Sequence, residues 1–157
     1  MSRLFKTPDA AETAFYDAIE RGDMAALDEV WSRDESIVCI HPGSLRIEGR
    51  FDVLQSFQEM FSDSPTLSFS IVDALHTGNE NLAVHLVREE ISLENEVVSV
   101  MLSTNIFHLE DGGWRMLLHH ASHEPDLDFD MAMAEFDDAD DFDDDEYSPP
   151  EPPPVLH

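Results

Sequence analysis

The 157-residue sequence predicts an α+β domain, with N-terminal helices packed on one face of a curved antiparallel sheet. Three observations carry that reading. Apolar residues recur at helical spacing as far as Phe61, and from Leu67 the period changes to that of strands. The four extended segments that follow are joined by connections too short for parallel crossovers. After His123 the composition turns acidic and Pro-ending, which divides the chain into a folded part over 1–123 and a tail over 124–157.

Thr7-Pro8 reads as an N-cap followed by Pro at the first helical position. Ala11, Ala14, Phe15, Ala18 and Ile19 then mark one helical face, and Gly22 supplies the stop. Asp23 caps a second short helix with Met24, Leu27 and Trp31 on its buried side. Ile37–Pro42 is a short strand, and Gly43–Gly49 a loop with a brief extended piece. A third helix, Asp52 to Phe61, buries Val53, Leu54, Phe57 and Phe61.

The long strands are Leu67–Thr77, Leu82–Leu93, Val97–Leu109 and Trp114–Ser122. Gly78-Asn79-Glu80-Asn81, Glu94-Asn95-Glu96 and Asp111-Gly112-Gly113 separate them with turn chemistry. The third strand is apolar on both sides: Val97, Met101 and Phe107 on one, Val98, Val100, Leu102 and Ile106 on the other. A sheet facing water should alternate, so its outer face is expected to meet a second copy in a homodimer. With a two-residue Asp111-Gly112 turn, Asn105 falls opposite Leu118 and Ser103 opposite His120. Met101, Ser103, Asn105, Phe107, Met116, Leu118, His120 and Ser122 then share the inner face, with His119 and His123 outside.

The formal charge of −27 is unevenly spread. Residues 1–123 hold 21 acids and all 8 Lys and Arg, and residues 124–157 hold 14 acids and no base of either kind. Such a surface repels phosphate, which excludes ordinary nucleic-acid binding and docking on anionic membranes. The single cysteine, Cys39, sits in the apolar run Ile37–Ile40 and reads as a small buried hydrophobe. With no signal-type apolar segment, a soluble cytoplasmic protein is expected. The tail, with Asp137–Glu146 and Pro149–Pro154, reads as disordered and solubilising. Its scattered Phe129, Met131, Met133, Phe136 and Phe142 also suit a docking segment for a basic partner.

Four local patterns stand in a telling order: Phe15 to Asp23, Ile40-His41-Pro42-Gly43, Glu48-Gly49-Arg50, and Gly112-Gly113-Trp114-Arg115 leading to His120-Ala121-Ser122. With the element order, they resemble the nuclear transport factor 2-like fold, and more narrowly the SnoaL-like, ketosteroid-isomerase-like superfamily. The last pattern is also similar to the ending of the calcium/calmodulin-dependent kinase association domain. The resemblance covers residues 8–123 and implies a cone-shaped fold whose helices and sheet enclose a pocket.

What the resemblance implies about the site comes position by position. His41, before Pro42, stands where the isomerases carry an acid–base carboxylate, and an imidazole there can act as base near neutrality. Asn105, eight residues before Gly113, stands where they carry a protonated Asp. Phe15 stands in the place of their Tyr, with Tyr16 about 100° further round the helix. That displacement argues against ketosteroid isomerisation itself, which needs donors aimed at the developing oxyanion.

The expected catalytic set is His41, Asn105 and His120, in a pocket lined by Phe15, Tyr16, Trp31, Phe57, Met101, Ser103, Phe107, Leu118 and Ser122. No cofactor is expected. No metal is expected either, because His119 and His120 point to opposite faces of a strand and no third ligand is spaced to join them. Two functions stay open beside a third, a stress-related scaffold with a vestigial pocket. One is a SnoaL-like protein binding a small apolar carbonyl compound, as a cofactor-independent isomerase, cyclase or hydratase. The other is a non-catalytic dimeric module whose acidic tail docks a basic partner.

Overall fold

In the computed structural model, which describes residues 4–63 and 66–125, the Thr7 hydroxyl accepts the Ala10 N–H at 3.1 Å and starts helix α1 (Pro8–Arg21). Gly22 ends the helix with φ 61°, its N–H bonded to the Ile19 carbonyl while the Asp23 N–H reaches the Ala18 carbonyl. The Asp23 carboxylate then accepts the Ala26 N–H at 3.0 Å and opens α2 (Met24–Val30). Strands β1 (Val38–Ile40) and β2 (Ile47–Glu48) lead to α3 (Arg50–Asp63). The Arg50 guanidinium donates to the Trp31 and Ser32 carbonyls and to Asp28, so the Glu-Gly-Arg motif ties the end of α2 to the start of α3.

Strands β3 (Ser68–Gly78), β4 (Leu82–Leu93), β5 (Glu96–Glu110) and β6 (Gly113–His123) form the expected antiparallel meander. The full order is β2-β1-β6-β5-β4-β3, and β1 runs parallel to β6, so the sheet is mixed rather than wholly antiparallel. Asp111-Gly112 is the two-residue turn the sequence suggests, with φ of 50° and 84°. Leu109 faces Trp114 and Phe107 faces Met116, as that turn requires.

Beyond this point the expected register fails. Ile106 pairs with Leu118, so Leu117 is an extra residue bulged out of β6. Asn105 therefore lies opposite His119, not Leu118, and Ser103 opposite Ala121, not His120. One added residue exchanges the two faces of the strand from there on. His119 and Ala121 are buried inside, while His120 and Ser122 are exposed on the outer face.

The core between helices and sheet is filled by Phe15, Leu27, Trp31, Phe57, Phe107 and Met116. On the outer face Leu75, Leu86 and Leu102 are between 41% and 60% exposed. The Glu124 N–H donates to the Val100 carbonyl at 3.0 Å, and Arg88 donates to the Glu124 carboxylate at 2.8 and 3.0 Å. The folded unit accordingly runs through Glu124. The expected disordered tail lies, from Asp126 on, outside the described residues. Among the described residues no helix is long and apolar enough to cross a membrane.

Candidate active site

Helix α1 buries two neighbouring columns, Ala11, Phe15 and Ala18 on one and Glu12 and Tyr16 on the other. Opposite them, the inner alternation of β4 supplies His85 and Glu89, that of β5 supplies Ser103 and Asn105, and the bulged β6 supplies His119. These seven polar side chains are each no more than 8% exposed.

Asn105 is the hub. Its amide nitrogen donates to Tyr16 Oη at 2.9 Å and to Glu12 Oε2 at 3.0 Å, and its carbonyl oxygen accepts from His119 Nδ1 at 2.6 Å. The Tyr16 hydroxyl donates in turn to Glu89 Oε2, and His85 Nδ1 donates to Glu12 Oε2 at 3.0 Å. An amide oxygen carries no hydrogen, so His119 must be protonated at Nδ1, and the neutral ring keeps its lone pair at Nε2. The donors run one way, from His119 through Asn105 and Tyr16 to Glu89, and each bond polarises the next.

Burial sets the charge states. It holds the Tyr16 phenol far above its ordinary pKa, with the Glu89 and Glu12 carboxylates adding to the rise. It also raises Glu89 above the usual carboxylate range, partly offset by the Tyr16 hydroxyl and the adjacent Ser103 hydroxyl. Ser103 Oγ makes no hydrogen bond of full geometry. His119 is pushed down to about 3 by burial, helped by the nearby His41 and His120, so its ring is neutral at pH 7.

Of the expected residues, Tyr16, Ser103 and Asn105 fall within this network, and Met101 and Phe107 share its inner face. Phe15, Trp31 and Phe57 are fully buried against one another, with ring centroids 5.9–6.2 Å apart, and Phe15 packs 4.9 Å from His119. They form a packed wall beside the network. His41 stands apart from it: the Ser56 hydroxyl donates to the Val53 carbonyl at 2.6 Å, so His41 Nε2 donates to Ser56 Oγ at 2.9 Å. Its ring meets Phe57 edge-on at 4.9 Å, and burial lowers its pKa. Leu118, His120 and Ser122 lie on the outer side of β6, so His120 cannot share a ligand with Asn105.

A cavity of about 280 Å³ opens between α1 and β3, lined by Glu12, Tyr16, Asp17, Glu20, Phe69 and Ile71 among others. Two network groups, Glu12 and Tyr16, can therefore be reached by a small molecule.

The family described as a SnoaL-like domain matches residues 9–125. The chain belongs to that family. A Thiobacillus denitrificans protein provisionally assigned as a calcium/calmodulin-dependent protein kinase type II association domain is 32% identical, with a TM-score of 0.74 over 78% of this chain and 99% of that one. A Streptomyces avermitilis protein provisionally assigned as a dehydratase of the nuclear transport factor 2-like family is 29% identical, with a TM-score of 0.67 over 76% and 100%. The F-box protein SKIP8 of Arabidopsis thaliana is 25% identical over 123 residues, 72% of this chain. The chain spans about half of that relative, 48% of its length.

Within the SnoaL-like domain, Glu12, His85, Glu89 and His119 were not among the expected site residues. Glu12 carries a usable signal, since it lies one helical turn before Tyr16 and borders the Ala11–Phe15 face. In β4 the signal misleads, because outward Leu82, Val84 and Leu86 are more apolar than inward Ala83, His85, Val87 and Glu89. For His119 no local signal exists, because the bulge is decided by pairing with β5.

Proposed function

We propose that this SnoaL-like domain binds a small neutral carbonyl compound between α1 and β3 and moves a proton on it, as an isomerase, cyclase or hydratase would. Tyr16 carries the proposal: a buried phenol, kept protonated, held between Asn105 and Glu89 and reachable from a cavity. A ligand carbonyl would accept the Tyr16 hydroxyl hydrogen in place of Glu89, and Glu12 beside it would take the proton. Glu12, Asp17 and Glu20 on the lining disfavour anionic ligands, which removes carboxylates and phosphates from the class. The proton-moving role expected of His41 passes to Glu12, since His41 is engaged with Ser56. The provisional assignment of the Streptomyces protein as a dehydratase supports the reaction class.

The test is to incubate the protein with small neutral ketones and enones in deuterium oxide and read deuterium uptake by mass spectrometry. Exchange should exceed background, vanish in Tyr16→Phe and Glu12→Gln, and persist in His41→Ala. No exchange in the wild type, with no compound stabilising the fold, would sink the reading.

A second reading, a non-catalytic homodimeric module, is favoured by the apolar outer face and by the likeness to a protein assigned as an association domain. We propose the dimer itself under either reading.

A further inference from the structure

The β3–β4 hairpin sets His76 directly opposite His85, and their rings stack 3.7 Å apart with planes 11° from parallel. The first turn of α1 brings Asp9 over the pair, with Oδ1 3.5 Å from His76 Nδ1 and 3.9 Å from His85 Nε2. Among the described residues, this is a group of potential metal ligands whose donor atoms all lie within 4.8 Å of one another. For comparison, ligands about 2.1 Å from a tetrahedral ion are separated by about 3.4 Å.

The second neighbour of His85 makes this more than a chance cluster. His85 is only 2% exposed, and its Nδ1 donates to the Glu12 carboxylate at 3.0 Å. That bond fixes the tautomer and leaves the lone pair on Nε2, the ring atom 3.9 Å from Asp9 Oδ1. A carboxylate behind a histidine is the usual outer support of a metal-bound imidazole. His76, with 43% of its side chain exposed, presents its Nδ1 to the same Asp9 oxygen and completes the set. An open cavity of about 390 Å³, lined by Asp9, His76, His85, Asn79, Glu80 and Trp114 among others, leaves room for a water or a further ligand on the ion.

We propose that Asp9, His76 and His85 bind a divalent first-row transition-metal ion, with Glu12 orienting His85. Two imidazoles and one carboxylate suit zinc, iron, cobalt or nickel better than calcium or magnesium. Glu12 is shared with the proton chemistry proposed above, but ion binding by Asp9, His76 and His85 does not require that chemistry.

Calorimetric titration of the full chain with zinc tests this, with calcium in large excess to occupy oxygen-only sites in the acidic tail. One equivalent should bind. Affinity should fall by more than about 100-fold in His76→Ala and in Asp9→Asn, and by about 10–100-fold in Glu12→Gln. Cobalt should give visible absorption of a low-coordinate, imidazole-ligated ion, and the band should vanish in His76→Ala. Zinc binding that calcium abolishes, or that survives both ligand substitutions unchanged, would overturn the proposal and leave a histidine stack held by Asp9.

Discussion

Glu89 and His119 sit in one buried network, yet their pKa values move in opposite directions, and so does their effect on stability. Glu89 keeps its proton to a higher pH when folded than when unfolded, so stability falls as pH rises through that window. Above it the penalty is about 1.4 kcal/mol per unit of upward shift. Glu89→Gln should therefore be more stable than the wild type at pH 7–8, the gap closing below about pH 4. His119, at about 3, refuses a proton that the unfolded chain takes near pH 6.5, so stability falls as pH drops between those values. The limiting slope is about 1.4 kcal/mol per pH unit. His119→Gln, which can still donate to Asn105, should flatten it. Urea denaturation at stepped pH reads both effects, and equal slopes in all three proteins would refute the assignment. The resemblance named Asn105 as one polarising group beside His41 and His120, and of the acids and histidines that surround it only Glu12 could be read from the sequence.

At the scale of elements, what local chemistry governs could be read and what pairing governs could not. The caps at Thr7 and Asp23, the stop at Gly22 and the turn at Asp111-Gly112 are each decided by two to four neighbouring residues, and all fall where expected. The parallel contact of β1 with β6 and the bulge at Leu117 depend on residues far apart in the chain. Deleting Leu117 would restore simple alternation while keeping Leu118 opposite Ile106 and His119 opposite Asn105, so the polar network should survive. Such a variant should lose about 2 kcal/mol or less, the contribution of one partly buried leucine side chain. A urea midpoint showing a loss of more than about 4 kcal/mol, the range tied to breaking a buried polar network, would mean that the bulge itself holds the register.

For the molecule as a whole, the outer face of the sheet is the feature that nothing among the described residues covers. A broad groove of about 520 Å³ crosses it, lined by Leu75, Leu86, Leu102, Thr104, His120 and Ser122 among others. The apolar outer side of the third long strand is where the sequence predicted a partner, and the exposed leucines on that face fit a self-complementary contact. Sedimentation velocity at micromolar concentration should show a dimer that added salt strengthens, because two highly acidic chains repel each other. Leu102→Glu should give a folded monomer, and a monomeric wild type would remove the dimer from both functional readings.

Cys39, the one cysteine in the chain, lies fully buried opposite His119 across the seam between β1 and β6, and burial pushes its thiol up to about 12. A thiol reagent can modify it only when that seam parts, because reaction needs both access and the thiolate. The labelling rate of the unaltered protein is thus a stopwatch on native-state breathing. It times the opening of the wall behind the polar network without a single engineered residue.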